Sequence, residues 1–78
     1  MEVHGEFRSF LDSLNAGFTP SEISVIVTAF KTKDELIAEW NRQKGKLVSV
    51  QRMFFQKDLK NDGELATKLI NALKKANL

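Results

Sequence analysis

Apolar residues recur at helical spacing along nearly the whole chain. Phe7, Phe10, Leu11 and Leu14 fall at i, i+3, i+4 and i+7, which sets four large side chains on one face of a helix. Asn15-Ala16-Gly17 should end it, because glycine takes the left-handed C-terminal conformation at little cost. In Thr19-Pro20-Ser21-Glu22, Thr19 is placed to cap, Pro20 suits the first helical position and Glu22 reaches back to complete a capping box. Ile23, Ile26, Val27 and Phe30 then repeat the stripe. A second capping box, Thr32-Lys33-Asp34-Glu35, opens a helix with Leu36, Ile37 and Trp40 inward and Gly45 as its stop. Acids in its first turn and Arg42 and Lys44 in its last both suit the helix dipole.

The spacing predicts a fourth helix from Leu47 or Ser49 to Leu59, with Leu47, Val50, Phe54 and Met53 inward and Phe55 toward a flank. Asn61-Asp62-Gly63-Glu64 breaks the chain and offers another cap, with Asn61 and Glu64 at capping-box spacing. The last helix carries Leu65, Leu69, Ala72, Leu73 and Ala76 inward and Lys68, Lys74 and Lys75 outward. No stretch alternates with period two for long enough to suggest a strand pair. The expected fold is all-α: one domain over residues 1–78, a compact bundle of five to six short helices, with residues 1–5 disordered.

Size and composition fit that picture. A chain of 78 residues has room for one core, burying only about 60% of the surface its unfolded form exposes. The hydrophobic share of 42% and charged share of 28% lie near globular averages, which argues against disorder. Without cysteine there is no disulfide and no thiolate metal site, which favours the cytoplasm or nucleus over secretion. The apolar runs fall far short of the roughly 20 residues that span a bilayer, and Met1 to Glu6 lack the order of a signal peptide. No membrane partner is expected.

Charge changes the picture more. Residues 1–40 hold three basic and seven acidic side chains, a net −4, and residues 41–78 hold nine basic and three acidic, a net +6. A domain divided in this way is an electrostatic dipole suited to a charged partner or to another copy of itself. Catalysis has little to work with. The only histidine, His4, lies in the expected disordered start, and there is no Cys or Tyr. Gly17, Gly45 and Gly63 are separate turn residues, and no stretch has metal-ligand spacing. Neither catalytic residues nor a metal nor a cofactor is expected. Phe7, Phe10, Phe18, Phe30, Trp40 and Phe54 fit core or turn positions better than a base-stacking platform, although Trp40 also suits a partner hot spot.

Residues 36–45, Leu36-Ile37-Ala38-Glu39-Trp40-Asn41-Arg42-Gln43-Lys44-Gly45, resemble the death-domain segment in which a Leu pair precedes a Trp and a Gly follows. Val48-Ser49-Val50-Gln51-Arg52-Met53-Phe54 is similar to the start of that family's penultimate helix, Glu64-Leu65-Ala66 with Leu69 and Ile70 to its last, and Phe18 to Ile23 to its second. The resemblance implies a six-helix Greek-key bundle, without enzymatic activity, that assembles with like domains in signalling. The distance from Ile23 to Trp40 then requires a reduced third helix, and Lys57 stands where the family usually has Leu.

The expected function is therefore a cytoplasmic protein-interaction module or signalling adaptor, associating with another protein or with itself through opposite charges. Asp34, Glu35 and Glu39 are the candidates for its acidic face and Arg42, Lys44, Lys46, Arg52 and Lys57 for its basic face. The alternative is a small nucleic-acid-binding regulator that lays the basic second half on phosphates. A third possibility is a structural piece of a larger complex.

Overall fold

The computed structural model describes residues 5–78, in which five helices and no strand form. They are α1 (Gly5–Ser13), α2 (Pro20–Phe30), α3 (Lys33–Gln43), α4 (Val48–Asp58) and α5 (Gly63–Lys75). None is long and apolar enough to cross a membrane. The expectation of disorder over residues 1–5 lies outside the described residues except at Gly5, which opens α1.

The N-terminal half follows the spacing closely. Phe7, Leu11 and Leu14 are buried with Phe10 packed beside them, and α2 buries Ile23, Ile26, Val27 and Phe30. The Thr19 box is complete: Glu22 N–H donates to Thr19 Oγ1 at 3.1 Å and Thr19 N–H donates to Glu22 Oε1 at 2.8 Å. At α3 the box is half made, with Glu35 N–H donating to Thr32 Oγ1 at 3.1 Å and no reciprocal bond. Gly17 does take a left-handed φ of 70°. Gly45 does not, and α3 stops earlier, at Gln43 with Lys44 as its cap.

Two residues join α2 to α3. Lys31 holds φ 70° and ψ −45°, and Thr32 N–H donates to Phe30 O at 2.8 Å, which together make a γ-turn of the positive-φ kind. This turn leaves no space for another helix between α2 and α3.

Packing divides into α1 against α2 and α3 on one side and α4 against α5 on the other, with one shared core. The last helix is its centre, burying Leu65, Ala66, Leu69, Ile70, Ala72 and Leu73. Three expectations change here. Ala76 is the exposed cap of α5 and not an inward residue, because the helix ends at Lys75. The N-cap is Asp62 and not Asn61: Leu65 N–H donates to Asp62 Oδ1 at 3.0 Å, while Asn61 has a left-handed φ of 62°.

Lys68 is also not simply outward. Its Nζ donates to Glu22 Oε1 at 2.8 Å and to Gly17 O at 3.1 Å, and lies 5.3 Å from the Phe18 ring centroid. One half-buried lysine thus fastens α5 to the start of α2. The hydrogen bond from Lys68, then that from the Thr19 amide, holds the Glu22 carboxyl below its ordinary value, with burial opposing in part. A carboxylate lowered in the fold contributes stability that is fully present above 4.5 and is lost as pH falls through the lower folded value. Lys68→Met should lower the urea midpoint at neutral pH and flatten the acid limb of its pH dependence. An acid limb unchanged by the substitution would assign the sensitivity to other carboxylates.

Candidate functional site

The eight side chains expected to bind a partner are spread over α3, the turn that follows it and α4. Asp34 and Glu35 are exposed in the first turn of α3. Glu39 and Arg42, expected on opposite faces, share that helix and pair with each other, and Gln43 Nε2 also donates to Glu39 Oε2 at 2.9 Å. Asp58, at the end of α4, joins them around a shallow depression of about 380 Å³ with Glu35 and Lys31 at its rim. Partial burial, and secondarily the charge of Glu39, raise the Asp58 carboxyl above its ordinary value, with Lys57 and Arg42 offsetting part of this. Glu39 and Arg42 are the ion pair of this corner, and no group of three metal-ligating side chains occurs among the described residues.

The basic candidates lie elsewhere, and α4 decides how they are presented. Its inward face is Gln51, Phe55 and Leu59, at i, i+4 and i+8. Gln51, 1% exposed, turns inward, and its Nε2 donates to Gln43 O at 2.9 Å and to Lys44 O at 3.1 Å. Those carbonyls belong to the end of α3, where Gln43 O also accepts from Lys46 N–H at 2.9 Å. Phe55 follows one turn later and is fully buried, its ring 5.9 Å from that of Phe30 and 6.4 Å from that of Trp40. Trp40 itself is a core residue.

This rotation corrects the reading of α4. Leu47, Met53 and Phe54, expected inward, point to solvent, while Phe55, expected on a flank, is the core residue. Leu47 is 75% exposed, Met53 60% and Phe54 38%; Val50 is half-buried between them. Leu47, Val50 and Phe54 still keep their i, i+3, i+7 relation, so the stripe survives as a continuous apolar surface with Met53 at its side.

The charges around it have one sign. Residues 44–57 contain Lys44, Lys46, Arg52 and Lys57 and no acid. Lys46 Nζ lies 5.2 Å from the centroid of the Phe54 ring. Arg52 and Lys57 flank Met53 around a second shallow depression, of about 500 Å³, completed by Ser49, Gln56 and Asn61. Among the described residues none of Lys46, Arg52 and Lys57 is in an ion pair. Lys44 Nζ reaches Leu78 O at 3.5 Å. Three of the five basic candidates, Lys46, Arg52 and Lys57, thus lie beside apolar side chains that periodicity had placed in the core. The signal that would have found them is the competing spacing of Phe55 and Leu59, hidden by a glutamine in the first inward position. His4 lies outside the described residues. No protein-family model matches the chain, and neither does any curated protein or solved structure.

Proposed function

We propose that this chain is a non-enzymatic protein-interaction module whose binding face is α4. The supporting observation is the exposed stripe Leu47, Val50, Met53 and Phe54 at helical spacing, bordered by basic side chains. Apolar surface of this kind is removed from water by another protein surface and is of little use against phosphates, which the lysines alone would contact. A cytoplasmic signalling adaptor of the death-domain type is the family-level form of this proposal. In that form the γ-turn at Lys31 takes the place of the third helix.

The test is selection from a displayed library of short helices of unbiased charge, with the Met53→Asp, Phe54→Asp double variant as counter-selection. The expected result is a set of binders retained by the wild type and lost by the variant. If no such set emerges, and a generic short duplex raises the scattering mass of the chain at about 50 mM salt, the function moves to nucleic acid.

A further inference from the structure

The reading of α4 as a binding face leaves its occupant open, and the inference here rests on that reading. We infer that α4 takes an acidic amphipathic helix from a different protein, seated on Leu47, Val50, Met53 and Phe54 with carboxylates toward Lys46, Arg52 and Lys57.

Shape comes first. The stripe covers about two turns of one helix, roughly 10 Å at the helical rise, and lies on a convex surface. A second helix matches that surface by setting its own i, i+3/i+4, i+7 side chains alongside. Addition of a strand is ruled out, since the described residues offer no sheet edge. The depression beside Met53, between Arg52 and Lys57, is placed to receive one anchoring side chain with an acid on either flank.

Charge then chooses between partners. A second copy docking α4 against α4 would bring Lys46, Arg52 and Lys57 against their own counterparts. A second copy docking its acids instead would present Asp34 and Glu35, yet among the described residues the exposed large apolar side chains are Leu47, Val48, Met53, Phe54 and Leu78. The acids therefore come without an apolar stripe to meet the one on α4. What complements α4 is a surface acidic and apolar together, which the described residues do not carry. Lys46 shows how the fit proceeds: it rests over Phe54 in the free protein, and an incoming carboxylate draws the ammonium aside and uncovers the ring.

Three synthetic helical peptides with the same apolar residues and Glu, Gln or Lys at the flanking positions test this against the whole chain by amide chemical-shift mapping. The Glu peptide should bind with a Kd of about 10–100 μM, moving signals of α4, and the Gln peptide about 10-fold more weakly. The Lys peptide should not bind. Arg52→Glu with Lys57→Glu, both at exposed positions, should reverse the order of the Glu and Lys peptides, a result that misfolding cannot produce. Equal binding of the Glu and Gln peptides would leave α4 as the interaction face and overturn the acidic partner alone. Shifts confined to α1–α3 would overturn the inference, as would tighter binding of a generic duplex to the same amides or self-association of the free chain through them in dilute buffer. Failure of all three peptides together with failure of the unbiased helix selection would remove both readings.

Discussion

Phe55→Ala should cost about 3–5 kcal/mol of folding stability, the usual range for deleting a buried aromatic ring, whereas Phe54→Ala should cost under about 1 kcal/mol. The two residues are adjacent and chemically identical, so the difference reports only which way α4 faces. Phe55 lies between Phe30 and Trp40 with no solvent exposure, and its removal leaves a cavity that two rings from α2 and α3 border. A domain of this size holds only about 0.05–0.15 kcal/mol of stability per residue, so the Phe55 variant should be close to unfolding at room temperature. Urea titration followed by far-ultraviolet circular dichroism gives both numbers. Equal losses, or a larger loss at Phe54, would mean that α4 buries the opposite face.

Gln51→Glu should be the most damaging conservative change. A carboxylate at this position has only acceptors, and it would face Gln43 O and Lys44 O, which now accept from the glutamine amide. Breaking such an arrangement and leaving a buried charge without a partner costs about 3–5 kcal/mol. The penalty has a pH signature of known sign. The new carboxyl is raised in the fold relative to the unfolded chain, so the charged form is what destabilises. The variant should approach the wild type as pH falls through the raised folded value toward about 4.3, the ordinary value for glutamate, and run parallel to it below that. Gln51→Leu, which keeps an inward side chain without its donor, should lose about 1–3 kcal/mol with no such pH dependence. Two variants with parallel pH curves would show that the amide does not cap α3.

The all-α architecture and the packing of α1, α2 and α3 were legible because local chemistry and tertiary burial agree there. The Thr19 box starts α2 where the apolar period starts, and the same four residues that make the stripe make the core. In α4 the two disagree. Periodicity sees Leu47, Val50 and Phe54, and has no means of knowing that the end of α3 will present two carbonyls to a helix crossing nearby. Gln51 answers those carbonyls, and the rotation that brings it inward carries Phe55 in and Phe54 out. The local pairing among the charged candidates was not legible. Glu39 and Arg42 are three residues apart on one helix, close enough to satisfy each other, and the charge count by halves of the chain does not register such local pairing. Lys68 reads as a surface residue in α5 because its partners, Glu22 and Gly17 O, lie more than forty residues away.

The single sign of charge along α4 also bears on how the chain behaves when it is alone and concentrated. Ordinary surface ion pairs make a protein stickier in dilute buffer and more soluble as salt is added. Here the stickiest surface is apolar and lies among like charges, so the order is inverted. In dilute buffer the lysines and Arg52 keep two such surfaces apart, and added salt screens that repulsion while leaving the attraction between Leu47, Met53 and Phe54 of neighbouring molecules intact. Colloidal stability should then be an electrostatic property of one helix face, greatest where ionic strength is lowest, which light scattering across a salt series checks.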